Sequence, residues 1–214
     1  MFINSWILSQ RNRKHQLGAT LIEVMIAGAI FVGLILGVAK IYQEVFVNSE
    51  KSKLVMVRDQ IVVVTRQTAG DIRALRTTIS KPENLALRNC VCGGGCVSMQ
   101  INPLTLYDWS GVTPQSPAYF DASGIPCNAA ASNCYIEVTT TFLAECRPPL
   151  PSANPVPPTN CNVPAEFIQV IYSVRQNPGT LTSTALGGAP LNLKAVQGGV
   201  FTLVEDIAPG GVCP

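Results

Sequence analysis

The chain has 214 residues, of which 47% are apolar and only 13% are charged, and its formal net charge is +2. This composition excludes a disordered chain, and the nearly balanced charge does not favour a protein that binds nucleic acid. Eight cysteines are many for a protein of a reducing compartment and favour an oxidising one.

An uninterrupted apolar run occupies residues 19–39, and Glu23 is its only charged residue. At about 1.5 Å per residue, a helix of this length spans about 30 Å, the thickness of the hydrocarbon core of a membrane. The cations Arg11, Arg13 and Lys14 precede the run. We therefore expect a membrane-spanning helix with its N-terminus in the cytoplasm and the rest of the chain exported.

Three interpretations of this run differ in how they treat Glu23. A cleaved signal peptide has a shorter apolar stretch that ends at a small-x-small site, whereas residues 27–29 place such a site in the middle of the run. A plain signal anchor fits the length but leaves an ionised carboxylate in the membrane, at a cost of about 2.5–3.5 kcal/mol. The third interpretation supplies a partner for this carboxylate.

Residues 18–25, which read Gly-Ala-Thr-Leu-Ile-Glu-Val-Met, resemble the processing site of type IV prepilins and pseudopilins. The resemblance implies that residues 1–18 are a leader peptide, that a prepilin peptidase cuts after Gly18, and that the new N-terminal residue, Ala19, is methylated. It also implies that Glu23 pairs with the terminal ammonium of a neighbouring subunit during filament assembly. A desolvated carboxylate and a desolvated ammonium are each costly alone and tolerable together.

Two glycines, Gly33 and Gly37, form a Gly-x-x-x-Gly pattern within the apolar run. Small residues at this spacing let helices approach closely in a membrane or a filament core. Glycine is also frequent in membrane helices without any such role. Both interpretations remain open on the sequence alone.

The helical pattern continues beyond the membrane as one apolar stripe with spacings of three and four residues. Its members are Leu54, Val57, Ile61, Val64, Thr68, Ile72, Leu75 and Ile79. Lys81-Pro82 ends the pattern, because a residue before proline disfavours helical geometry. We therefore predict one helix over residues 19–80, with a sheet covering the stripe; a coiled-coil stalk is the alternative.

Residues 81–214 are predicted to form a periplasmic head. Residues 82–135 read as a long irregular, cysteine-rich connection with one short strand at 97–101. Three stronger strand signals follow at 135–143, 166–174 and 199–205. The segment 147–164 carries seven prolines and is predicted to be a surface loop or hairpin arm. The expected fold class is α+β, with a sheet of three to five antiparallel strands packed on the helix, as in the pilin-like fold.

All eight cysteines follow the membrane segment, so the expected compartment favours four disulfides. They are Cys90, Cys92, Cys96, Cys127, Cys134, Cys146, Cys161 and Cys213. A metal site on Cys90, Cys92 and Cys96 is disfavoured, because the spacing is not that of a standard zinc site. Eight cysteines allow 105 pairings, and spacing does not choose among them. The resemblance to pilins implies that Cys213 ties the C-terminal region to the sheet, with Cys161 or Cys146 as its partner.

The sequence does not favour an enzyme. His15 is the single histidine and lies in the expected leader, so the mature chain would contain none. Catalysis by a Ser-His-Asp or Cys-His arrangement would then be excluded. We expect no cofactor and no metal. Residues 90–214 hold three Lys or Arg against seven Asp or Glu, which also disfavours a DNA-binding head.

The resemblance implies a structural subunit of a type IV pilus, and the sequence of the apolar run favours a minor pilin. The implied partners are other pilin subunits, the prepilin peptidase and an inner-membrane assembly platform. The protein would lie in the inner membrane before assembly and in a filament afterwards. The alternatives are a minor pseudopilin of a type II secretion system and a membrane-anchored periplasmic binding protein or enzyme. An adhesive tip subunit would use Trp109, Tyr119 and the proline-rich segment as contacts.

Overall fold

Helices make up the N-terminal part of the described chain. The computed structural model describes residues 13–93, 95–131, 133–146, 160–161, 163–178 and 193–213. The first helix, α1, runs over Arg13–Gly70, and a second helix, α2, runs over Ile72–Ser80. The chain divides into two compact units, and the boundary falls between Ser49 and Glu50, within α1.

The predicted single helix over residues 19–80 is wrong in one respect, because it is broken at Asp71. The backbone of Asp71 is extended (φ −81°, ψ 115°), and its carboxylate accepts the N–H of Arg73 at 2.9 Å. Aspartate is a strong N-cap residue, and the glycine before it, Gly70, is a poor helix former. The two residues together end α1 and start α2, whereas the predicted end of the helical region at Lys81-Pro82 is confirmed.

The predicted stripe is buried only in part. Leu54, Ile61, Leu75 and Ile79 are buried, as predicted. Between them, Thr65 and Ala69 are buried instead of Val64 and Thr68, and Ile72 is exposed. Thr65 and Ala69 follow Ile61 at steps of four residues within α1, so their burial does not depend on the break. Ile72 follows the break directly, and its exposure is the difference that lies at the break.

A second helical region replaces part of the predicted irregular connection. A 3₁₀ turn at Pro82–Asn84 leads into α3, Leu85–Cys92, which ends at Gly93 in the left-handed conformation (φ +77°). The buried side chain of Asn84 donates to the carbonyls of Thr78 and Thr105 and accepts the N–H of Thr105. This amide therefore joins the end of α2 to the strand region that follows.

Nine strands lie in the described part of the chain, and five of them form the main antiparallel sheet. The strands are β1 Cys96–Val97, β2 Asn102–Leu104, β3 Leu106–Tyr107, β4 Pro114–Ser116, β5 Ala118–Phe120, β6 Ile136–Glu145, β7 Asn160–Cys161, β8 Phe167–Gln176 and β9 Val196–Leu203. The main sheet has the order β2-β6-β8-β9, and β5 also pairs with β6. Two short pairs, β1 with β7 and β3 with β4, complete the described strands.

The three main strand predictions are confirmed, and the weaker ones need correction. β6, β8 and β9 match the three predicted segments with shifts of one to three residues. β9 ends at Leu203 because Val204–Ile207 forms a short helix, α4. The predicted strand at 97–101 is replaced by β1 and β2, on either side of a turn. Residues 147–159 and 162 of the proline-rich segment lie outside the described residues.

The inner face of the main sheet packs on the helices through two clusters of buried side chains. In the first cluster, Leu54 and Ile61 of α1 lie with Ile136, Val138 and Val174. The second cluster joins the end of α1, α2 and α3 to the other end of β6 and β8. Its members include Ala69, Leu75, Ile79, Leu87, Phe142, Ala144, Ile168 and Val170. The expected α+β architecture, with a long N-terminal helix packed on an antiparallel sheet, is therefore present.

Candidate functional site

The N-terminal part of α1 exposes a continuous apolar surface, which we call the apolar helix segment (residues 21–46). Every residue of this segment is exposed, including the large side chains of Leu21, Ile30, Phe31 and Leu36. Soluble surfaces rarely expose apolar patches of this extent. By length and composition, this helix is apolar enough to cross a membrane.

Glu23 lies near the start of the apolar helix segment and is exposed. Among the residues that the structure describes, no cation forms an ion pair with it. Gly18 and Ala19 lie within the backbone of α1, and residues 1–12 of the predicted leader are outside the described residues. The predicted cleavage after Gly18 and the methylation of Ala19 therefore remain predictions.

Gly33 and Gly37 leave open space on the apolar helix segment. A Cβ atom added at either glycine would have no neighbour within 4 Å outside the local helix. Within the described part of the chain, these glycines therefore have no packing partner. The Gly-x-x-x-Gly interpretation requires a second helix at this surface.

The eight cysteines pair as four disulfides, and the region around α3 holds three of them. The pairs are Cys90–Cys96, Cys92–Cys213, Cys127–Cys134 and Cys146–Cys161. The Cα atoms of Cys92 and Cys213 lie 5.6 Å apart, although 121 residues separate them in sequence. The expected partner of Cys213, either Cys146 or Cys161, is therefore wrong, because those two cysteines pair with each other. The C-terminus is tied to α3 rather than to the sheet.

No group of side chains that could hold a metal ion occurs among the described residues. The metal site considered on Cys90, Cys92 and Cys96 does not form, since Cys90 and Cys96 bond to each other and Cys92 bonds to Cys213.

One polar cluster joins the end of α2 to the turn between β3 and β4. The Tyr107 hydroxyl donates a hydrogen bond to the carboxylate of Glu83, which lowers the pKa of Glu83 and raises the pKa of Tyr107. The Lys81 ammonium lies 4.9 Å from the centre of the Tyr107 ring and donates to the Gly111 carbonyl at 2.7 Å. The sequence analysis missed this cluster, which the helix end and the turn bring together.

The same turn presents Trp109, one of the aromatic residues considered for adhesion. Asp108 accepts the N–H groups of Ser110 and Gly111 at 3.0 Å, and a hydrogen bond from the Ser110 hydroxyl lowers its pKa. These bonds hold the turn while the Trp109 side chain is exposed. Tyr119 differs, because it is half-buried and its hydroxyl lies 3.3 Å from the Glu137 carboxylate.

Comparison of the chain with protein-family models, with curated proteins and with solved structures finds no match. The functional assignment therefore depends on the residues of this chain.

Proposed function

We propose that the protein is a subunit of a helical filament, made as a membrane-anchored precursor that a prepilin peptidase cuts after Gly18. Within this class, we propose a minor pilin of a type IV pilus. It would be a structural subunit and a substrate of the peptidase, not a catalyst. The N-terminus would lie in the cytoplasm and the head in the periplasm before assembly.

Glu23 carries this proposal. It is the only charged residue in the apolar run, and the described residues offer it no cation. An unpaired carboxylate in a membrane helix costs about 2.5–3.5 kcal/mol, and a cation of a second molecule would remove this cost. A free α-amino group at Ala19 of a neighbouring subunit supplies that charge, and cleavage after Gly18 creates it.

The arrangement of the head supports the same proposal. The apolar helix segment of α1 is exposed, and from Leu54 onward α1 carries an apolar stripe buried under the main sheet. One helix thus serves as both the membrane anchor and the support of the head. The disulfides stabilise a head that has several short strands and turns. A minor pseudopilin would share these features, whereas a plain anchor gives Glu23 no function.

Replacing Glu23 by Gln tests the proposal. The variant keeps the size of the side chain and removes the charge, so we expect normal membrane insertion and loss of the protein from filaments. Glu44→Gln is the matched control, because Glu44 is an exposed carboxylate of the same helix outside the predicted membrane-spanning residues 19–39. The measurement is the amount of each variant in sheared filaments and in membranes of the native host, relative to the unsubstituted protein.

Two outcomes decide the test. Loss of Glu23→Gln from filaments, with Glu44→Gln retained, supports assembly through the Glu23 carboxylate. Equal amounts of both variants in filaments, or absence of the unsubstituted protein from any filament, would refute it. Secretion of proteins across the outer membrane, measured in a strain that lacks this protein, separates the pilus from a type II secretion system.

A further inference from the structure

Among the residues that the structure describes, nothing pairs with one edge of the main sheet, which we call the open edge of β9. β9 pairs with β8 without interruption from Val196 to Leu203, and no other described strand pairs with its opposite side. β9 has eight residues and is the last strand in the sheet order. An open strand of this length presents a row of unpaired backbone groups.

The register shows which groups face this edge. The Val204 N–H donates to the Glu166 carbonyl at 3.1 Å, directly after the Leu203–Phe167 pair. Hydrogen-bonded pairs alternate along antiparallel strands, so the even-numbered residues of β9 bond to β8. The N–H and C=O groups of the odd-numbered residues therefore point outward: Gln197, Gly199, Phe201 and Leu203.

The open edge of β9 lacks the features that usually prevent strand addition. It carries no charge, no proline and no bulge, and the Phe201 side chain is 64% exposed. At the opposite side of the sheet, β2 and β5 have three residues each, and β2 contains Pro103. Natural sheets protect their edges with short strands, charges and proline. The edge of β9 is long and uncharged, whereas the opposite edge of the sheet is protected. This difference indicates that the edge of β9 is a binding surface.

We propose that the open edge of β9 binds an extended strand of a partner protein, which joins the main sheet through main-chain hydrogen bonds. Charges at the two ends of β9 set the direction of the partner. Exposed Lys194 precedes β9, and exposed Glu205 and Asp206 follow it. An antiparallel partner strand that begins with a basic residue and ends with acidic residues places opposite charges together at both ends.

A second copy of this chain does not fit the edge. Residues 50–70 of α1 run in the same direction as β9, since Arg58 donates to the Lys194 carbonyl at 3.1 Å and Gly70 lies against Val200. Antiparallel pairing of two β9 strands would make these helices run in opposite directions. All subunits of a filament built by one repeated head-to-tail contact carry these helices in the same direction along the filament, so this pairing is excluded, an exclusion that rests on the proposed function.

Parallel pairing of two copies is disfavoured by charge. It would keep the two helices aligned but would place each Lys194 beside its counterpart. The acidic residues at the other end, Glu205 and Asp206, would also meet their counterparts. Like charges directly opposite one another destabilise paired strands. The partner is therefore a strand of a different protein.

A peptide that copies residues 194–206 is a suitable probe, because it begins with Lys and ends with Glu-Asp. The test uses the oxidised full chain in detergent micelles, with hydrogen exchange measured at single residues. We expect the outward amides of β9 to exchange rapidly in the free protein. Saturating peptide should slow them at least about tenfold, because each gains a hydrogen bond. A control peptide, with the Lys exchanged for the Glu-Asp, should bind more weakly.

Two variants make the test specific to the backbone of β9. Gln197→Pro removes one outward N–H and leaves the bonds to β8 intact, whereas Gln197→Thr keeps that N–H. Loss of one hydrogen bond and the bulk of the proline ring should weaken peptide binding about tenfold or more, and Gln197→Thr should change it less than about threefold. Near-ultraviolet circular dichroism checks that both variants retain the fold.

Five results would overturn the proposal. Slow exchange of the outward amides in the free protein would mean that the edge is already covered. No protection by the peptide, or equal effects of the two Gln197 variants, would exclude strand addition. Equal binding of the two peptides would refute the assigned direction. A dimer of the full chain without peptide, lost in Gln197→Pro, would make a second copy the occupant. None of these measurements depends on peptidase cleavage or on Glu23, so they are separate from the test of filament assembly.

Discussion

The break at Asp71 makes a quantitative prediction, because Ile72 is exposed beside it while Leu75 stays buried. Leu75 is 1% exposed, and Ile72 is 37% exposed. Leu75→Ala deletes three buried carbon groups at about 0.8 kcal/mol each and leaves a cavity, so we expect a loss of about 3–4 kcal/mol in the free energy of unfolding. Ile72→Ala should cost less than about 1 kcal/mol, since its side chain is partly solvated and alanine is the better helix former.

Urea unfolding of the oxidised full chain in detergent micelles measures both losses. Near-ultraviolet circular dichroism follows the packing of the head, and an unchanged dependence on urea shows that the variants unfold from the same state. Asp71→Ala should cost about 1 kcal/mol, because the Arg73 N–H loses its acceptor. Equal losses for Ile72→Ala and Leu75→Ala would refute the break and restore one continuous stripe.

Two further predictions concern the head. The hydrogen bond from Tyr107 lowers the pKa of Glu83. The head should therefore lose stability as the pH falls below about 4.5, because Glu83 is then protonated. The Tyr107→Phe variant lacks this bond and should lose less stability over the same range. Identical acid unfolding curves would contradict this. Replacing Cys92 and Cys213 by Ser should lower the free energy of unfolding by about 5 kcal/mol, since their disulfide spans 121 residues. Replacing Cys90 and Cys96 by Ser should lower it by about 2 kcal/mol, since their disulfide spans only six residues. A larger loss from the second replacement than from the first would contradict the pairing.

Strong local patterns predicted the main elements of the fold. β6 and β8 are rich in β-branched and aromatic residues, which fit a half-buried strand. Pro82 marks the end of the helical region, because proline restricts the residue before it. The antiparallel sheet on the helix follows from the apolar stripe, which must be covered by another element.

The features that the sequence analysis missed depend on short signals or on distant contacts. Gly70-Asp71 is a cap signal of two residues inside a much longer helical pattern, which continues on both sides of it. α3 has only eight residues within a stretch rich in cysteine and glycine. The bond between Cys92 and Cys213 joins opposite ends of the head, and spacing contains no information about it.

The apolar run with Glu23 was predicted from the sequence, whereas the open edge of β9 was not. The apolar run and Glu23 are visible in the sequence because a membrane helix needs about twenty consecutive residues of one character. The open edge of β9 was not predicted, because a strand's position in the sheet depends on pairing order. That order follows from the packing of β6, β8 and β9 together.

The most direct test of the proposed function is the intact mass and N-terminal sequence of the protein, taken from sheared filaments and from membranes of the native host. We predict a chain that begins at methylated Ala19 and lacks eight hydrogens relative to free thiols, as four disulfides require. A chain that keeps residues 1–18 beside an active peptidase, or one cut after Ala29, would contradict assembly as a pilin and favour a membrane-anchored or secreted binding protein.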